Sequence, residues 1–331
     1  MPETEIDEAR ISERLSAARR GKRWLETPDG DPRGYIQPQR LDELWFHTGT
    51  NCNLSCDFCL EGSKPGDDRI SFLTLADAQP FIDEALELGV KKCSFTGGEP
   101  FLNPAMVPIL DAALSHRPCL VLTNATEPLI NQFARIEKLL EKPNALSLRV
   151  SIDHPDPEQH DAARGKGNFK LALKTLGRLH RAGFGVSVAR LMAKDEDRAA
   201  VDAAYAKVFA EAGLPEDLRI VPFPDYHLPG SIPEVPHITT SCMTTYLSEQ
   251  QREAFMCNTS KMIVKQAGRT GVYACTLVDD DGGGGGAAGD RQPPDRERRV
   301  RPRLRAALVE LAGVPRHRAA RPRAHLRGVR G

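Results

Sequence analysis

The chain of 331 residues has no apolar run longer than a strand, so no segment is long enough to cross a bilayer as a helix. Its first residues, Met1 to Glu8, are acidic and lack the charged-then-apolar layout of a signal peptide. That points to the cytoplasm. Net charge is also missing: 45 Lys and Arg balance 45 Asp and Glu. The balance hides a segregation. Residues 282–331 carry thirteen Arg against four acids, so the remainder is acidic overall. The same stretch has no Lys, Cys, Phe, Tyr or Trp. A total charge of zero therefore says little about partners.

What is present is an ordinary globular composition, 40% hydrophobic and 27% charged. The length suits one large domain or a domain with a small appendage. In a cytoplasmic chain, eight cysteines point to metal binding or catalysis rather than to disulfides.

Residues 1–40 read as an N-terminal arm, with a surface helix or frayed segment over 7–24. From Glu43 a β–α alternation begins. Leu44–His47 is a short strand that leads into a cysteine-bearing loop. Thr74 can N-cap a helix over 75–88 that is followed by Gly89. Strands are expected at 92–95, 119–122, 145–152, 185–191 and 218–221. Helices are expected near 105–116, 128–141, 168–182 and 195–212. Such alternation implies a parallel sheet with right-handed crossovers. The polar motifs fall at C-terminal strand ends, where barrel active sites are built. The expected fold is therefore α/β, a partial (β/α)6 TIM-like barrel over 41–222, rather than a flat sheet with helices on both faces. Residues 222–240 are rich in proline and read as a loop. Residues 243–256 look helical, and 261–266 with 272–276 look like a hairpin around Gly268–Gly271.

Cys52, Cys56 and Cys59 form a CxxxCxxC arrangement on the loop after the first strand. Three thiolates at this spacing can hold three irons of a cubane and leave the fourth iron open. A zinc site is a second reading, but it needs a fourth ligand, and His47 is the nearest candidate. A buried cysteine stripe on one helical face is the third; the polar Asn51, Asn53, Ser55 and Asp57 between the thiols weigh against it. After the second strand, Thr96-Gly97-Gly98-Glu99-Pro100 offers two glycines for a close backbone approach and a carboxylate that can pair with an ammonium group.

The CxxxCxxC loop after strand one and the GGE segment after strand two resemble the radical S-adenosylmethionine (radical SAM) superfamily. The stretches Ser151-Ile-Asp-His154, His160-Asp161-Ala-Ala-Arg164-Gly-Lys-Gly167-Asn-Phe169 and Leu179-His-Arg-Ala-Gly183 are similar to members with a C-terminal SPASM or Twitch extension. The resemblance spans roughly residues 43–278. It implies a [4Fe–4S] cluster on Cys52, Cys56 and Cys59, with S-adenosylmethionine bound at the open iron. It places Phe58 near the adenine, and Gly97, Gly98 and Glu99 near the methionine amino group. Asn124, Ser151 and Asp153 match polar positions that reach the ribose or the carboxylate, and Arg164 is a candidate contact for the carboxylate. The implied activity is reductive cleavage to a 5′-deoxyadenosyl radical that abstracts hydrogen from a substrate, with peptide or protein side chains favoured. An electron donor such as flavodoxin or ferredoxin is implied with it. Asp225, Tyr226 and His227, in the loop after strand six, are candidates for proton handling.

Residues 223–281 resemble an incomplete SPASM/Twitch extension. Cys257 and Cys275 flank the expected hairpin and are candidate ligands for an auxiliary cluster, but no cysteine follows Cys275. Cys242 reads as a free thiol, and Cys93 and Cys119 as core. The departure coincides with five glycines and the Arg/Pro/Ala tail. We read residues 282–331 as frameshifted and disordered, since out-of-frame GC-rich DNA yields Arg, Pro, Ala and Gly. A basic tail for nucleic acid is the other reading. Two further functional alternatives are a zinc-binding interaction module and a catalytically inactive truncated homologue.

Overall fold

The computed structural model describes residues 26–27, 29–34, 36, 38, 40–193, 195–224, 237–273, 276 and 304. Strand β1 (Glu43–His47) is followed by helix α1 (Leu75–Glu87), β2 (Lys92–Thr96), α2 (Met106–Leu114), β3 (Cys119–Thr123) and α3 (Glu127–Glu137). Then come β4 (Leu146–Ser151), α4 (Pro157–Arg164), α5 (Asn168–Ala182), β5 (Gly185–Met192), α6 (Arg198–Glu211) and β6 (Ile220–Pro224). The six strands pair in parallel in chain order.

Each strand alternates its side chains across the sheet. Leu44 and Phe46 of β1, Phe95 of β2 and Leu148 and Val150 of β4 join the main core, together with helix residues such as Ile82, Leu110, Leu176 and Phe209. Phe46 stacks on Phe95 at 5.2 Å between centroids. A second cluster on the opposite face contains Trp45, Leu120, Met262, Val264 and Tyr273 and no helix residue. The helices thus cover one face only, which makes the other the inside of an open barrel, as expected from the sequence. Among the described residues no helix is long and apolar enough to cross a membrane.

Helix α1 begins where Thr74 predicts. Its hydroxyl accepts from the Asp77 N–H at 3.2 Å, and the Asp77 carboxylate accepts from the Thr74 N–H at 2.8 Å. Helix α4 was not expected. Asp156 caps it, Pro157 opens it and Gly165 ends it at φ 98°. The helical stretch near 243–256 is three short helices, α7 (Thr240–Thr245), α8 (Glu249–Glu253) and α9 (Met256–Thr259).

The hairpin is β7 (Ser260–Gln266) and β8 (Arg269–Tyr273), a tighter turn than expected, with Ala267 and Gly268 at positive φ. β7 pairs in parallel with β1, so the full order is β6-β5-β4-β3-β2-β1-β7-β8. The hairpin is tied to α1 by Lys265, whose Nζ is 2.6 Å from the Asp77 carboxylate. Residues 32–34 and 238–240 share backbone hydrogen bonds, which joins part of the N-terminal arm to the segment before α7. Of residues 282–331 only Leu304 is described. It is buried in the main core, and its N–H donates to Glu84 at 2.8 Å.

Candidate functional site

The loops after β1, β2, β3 and β4 meet at the C-terminal edge of the sheet. The cysteine loop is held from three sides. The Thr50 hydroxyl donates to the buried Asp67 carboxylate at 2.9 Å and accepts from the Ile70 N–H. Arg69 forks onto Asp67 at 2.7–3.1 Å. Together these pull residues 67–70 back under residue 50. No local pattern in the sequence marks Asp67 or Arg69 for this task. Within the loop the Cys59 N–H donates to Cys56 O at 3.0 Å, and the Cys52 sulfur accepts from the Leu54 N–H at 3.4 Å.

The two glycines after β2 have a specific job. A Cβ on Gly97, whose φ is 139°, would stand 2.5 Å from Gly49 O. One on Gly98 would stand 2.6 Å from Thr50 O and closer still to Asn51 O. The Gly98 N–H donates to Gly49 O and the Glu99 N–H to Asn51 O, both at 2.9 Å. The close approach these glycines allow is that of the cysteine loop itself.

Glu99 is buried. Its carboxylate accepts from the Phe101 N–H at 3.1 Å, the Thr123 hydroxyl at 3.0 Å and the Asn124 N–H at 2.8 Å. Burial raises its pKa to about 7, against the pull of those hydrogen bonds. Three donors leave one of the roughly four acceptor positions of a carboxylate free. Asn124 donates to Asn53 at 3.0 Å and lies 3.9 Å from the Cys52 sulfur. The next residue, Ala125, sits in the left-handed region at φ 56°, a strained conformation for a residue with a Cβ.

The β4 rim supplies a charged pair. Arg164, at the end of α4, forms a short forked ion pair with Asp153 and places its guanidinium 5.3 Å from the centroid of the Phe58 ring. Both members of the pair are nearly buried. Ser151 ends β4 beside Ala189. Behind the rim, buried His160 accepts from the Asp153 N–H at 3.2 Å, and burial drops its pKa to about 4. The Tyr205 hydroxyl donates to Ile152 O at 2.6 Å. The structure thus brings Cys52, Cys56, Cys59, Phe58, Gly97, Gly98, Glu99, Asn124, Asp153 and Arg164 to one rim. Asp225, Tyr226, His227 and Cys275 lie outside the described residues. Cys257 is in α9, and Cys93 and Cys119 are buried partners across β2 and β3.

Cys52, Cys56 and Cys59 are free thiols, and each of the other two disfavours ionisation of Cys52. Burial is the larger cause and pushes Cys52 up to about 12. A thiol as desolvated as Cys52 ionises when a metal takes up its charge. Among the described residues no three His, Cys, Asp or Glu groups are placed to hold a single metal ion. His47 does not supply a fourth zinc ligand. Its Nδ1 accepts from the Gly49 N–H, and its Nε2 lies 3.1 Å from Glu61. A cubane places fewer demands on convergence, because each thiolate binds its own iron.

A parallel β/α half-barrel with three thiols on its first rim loop defines a class, the barrel proteins that hold a thiolate-bound cofactor at their mouth. Residues 46–207 match the model of the Radical SAM superfamily. Members of that superfamily bind a [4Fe–4S] cluster and S-adenosylmethionine. The mycofactocin maturase MftC of Mycolicibacterium smegmatis is 29% identical over 40% of this chain and 33% of its own length. The antilisterial bacteriocin subtilosin biosynthesis protein AlbA of Bacillus subtilis is 31% identical over 44% of this chain and 32% of its own. The chain thus spans about a third of the length of these two relatives. Streptococcus suis SuiB bound to S-adenosylmethionine shares the fold, with a TM-score of 0.55 at 15% identity over 72% of this chain and 60% of SuiB. SuiB has also been solved bound to its precursor peptide SuiA.

Proposed function

We propose that this chain is a radical SAM enzyme whose cluster is held by Cys52, Cys56 and Cys59 and whose substrate is a peptide or protein side chain. When bound, the cluster and S-adenosylmethionine supply a one-electron cleavage to a 5′-deoxyadenosyl radical that takes a hydrogen atom from the substrate. The observation that carries the reading is three free thiols on one short rim loop, two of them acting electrostatically on Cys52, with the Gly97-Gly98-Glu99 segment docked against the backbone of that loop.

The protein's own part is positional. Gly97 and Gly98 let the cysteine loop seat on β2, and the Thr50–Asp67–Arg69 clamp keeps it there. The free acceptor position of Glu99 is assigned to the methionine ammonium group. Arg164, oriented by Asp153, is assigned to the methionine carboxylate, and Phe58 to the adenine. Asn124 and Ser151 are assigned to the polar groups of the ribose side. Residues 41–222 are taken as the radical-generating core and 223–281 as the extension, with Cys257 and Cys275 as auxiliary-cluster candidates. Asp225, Tyr226 and His227 stay as proton-handling candidates, and flavodoxin or ferredoxin as the electron donor. The peptide class is supported by the likeness to MftC, AlbA and SuiB.

Anaerobic reconstitution with iron and sulfide tests the reading. Cluster absorbance and reductant-dependent release of 5′-deoxyadenosine are expected, and both are lost in Cys56→Ala. A protein with no cluster absorbance, or one whose cluster is indifferent to Cys56→Ala, would overturn it.

A further inference from the structure

The inner face of the barrel is filled unevenly. On the side of β1, β3, β7 and β8 it is closed by Trp45, Leu120, Met262, Val264 and Tyr273. On β4 and β5 the residues that alternate with the outward core positions are Ser147, Arg149, Ser151, Gly185, Ser187, Ala189 and Leu191. All are small except Arg149 and Leu191. Arg149 is the one cation among them.

Register places a second cation on the same row. Arg149 pairs with Ser187 across β4 and β5, and Val188 pairs with Ile220 across β5 and β6. Arg219 therefore stands level with Arg149, on the far side of Ser187. Ile220 packs against the outer core, so Arg219 takes the inner side. Arg149 is half-buried, and Arg219 is exposed at the open edge strand.

Among the described residues Arg149 makes one hydrogen bond, from Nε to the Ser187 hydroxyl at a long 3.4 Å, and no ion pair. The carboxylate that acts on it, Glu43, is already engaged. Lys92 is 2.8 Å from Glu43, and the Ser94 hydroxyl donates to it. Burial lowers the Arg149 pKa, and Arg219 lowers it further. A desolvated cation beside a second cation is costly unless an anion joins them.

We infer that Arg149 and Arg219 form an anion subsite inside the barrel, which takes a carboxylate of the substrate. The guanidinium forks match a planar carboxylate. Phosphate is less suited, because its usual protein sites draw on free backbone N–H groups, and in this row the backbone N–H groups belong to the sheet ladder. The subsite deepens the enzyme reading above and rests on it only for the word substrate. Acidic side chains and a peptide C-terminus share this chemistry.

Calorimetric titration of the reconstituted protein tests it. The probes are N-acetyl-L-glutamate, N-acetyl-L-glutamine, the C-terminal amide of N-acetylalanine, N-acetylalanine itself and inorganic phosphate. Carboxylate probes are expected to bind and the alaninamide not to. N-acetylglutamate above N-acetylglutamine would assign the subsite to an acidic side chain, and equal binding to a C-terminus. Arg149→Gln should weaken binding about tenfold, as loss of one charge-assisted contact implies. Arg219→Gln, at an exposed position that spares the fold, should weaken it less but measurably. Iron content and S-adenosylmethionine binding, measured on the same samples, report on the cofactor reading separately. Loss of glutamate binding with iron and S-adenosylmethionine binding retained supports the subsite. Unchanged binding in both variants, no binding of any carboxylate to wild type, or phosphate binding more tightly than the carboxylates would overturn it.

Discussion

Gly98→Ala puts the central claim about the site under strain. The added methyl group would stand 2.6 Å from Thr50 O and nearer to Asn51 O, well inside the 3.4 Å at which ordinary contact begins. Both atoms are backbone, so neither can swing aside as a side-chain tip would. Overpacking of this kind costs about 1–3 kcal/mol. Relief by moving the cysteine loop would break two backbone bonds, Gly98 to Gly49 and Glu99 to Asn51, each worth about 1 kcal/mol. A total near 3 kcal/mol corresponds to a fall in Tm of about 6–12 °C for a domain of this size. Gly66 lies in the same loop and meets nothing within 4 Å, so Gly66→Ala serves as the control, with only its positive φ to accommodate. The assay is a thermal melt of metal-free protein, paired with iron uptake on reconstitution. Gly98→Ala should melt lower and take up less iron, and Gly66→Ala should take up iron normally. If Gly98→Ala melts within about 2 °C of wild type and fills with iron, the glycines do not seat the loop.

Two further predictions concern the supports of the rim. A carboxyl whose folded pKa is raised from 4.5 to about 7 makes the folded state most stable below pH 4.5, and that stability is lost as pH rises toward 7. For Glu99 the loss between pH 5 and pH 8 is about 2–3 kcal/mol, so urea unfolding of Glu99→Gln should show a correspondingly flatter pH dependence than wild type; identical slopes would show that Glu99 does not titrate in this range. Tyr205→Phe removes a 2.6 Å hydrogen bond to Ile152 O at the base of the β4 rim. It should lower stability by about 1–3 kcal/mol because the buried carbonyl loses its partner, and a variant with unchanged urea midpoint would show that the bond contributes nothing.

The βα alternation, the Thr74 cap, the cysteine loop and the Gly97-Gly98-Glu99 turn were legible in the sequence, because periodicity, capping and turn chemistry act over a few residues. Helix α4 was legible too, from Asp156-Pro157 and Gly165, although it was not expected. Tertiary structure alone decided what lies far apart in the chain. Pairing of β7 with β1 is set by which sheet edge is open, and no local pattern records that. Two of the three donors that hold Glu99 come from the end of β3, and Arg164 reaches Phe58 over more than one hundred residues of chain. Arg149 reads in the sequence as one more charged residue in a strand. Only the one-sided helix layer shows that it faces inward, where burial and Arg219 both disfavour its charge.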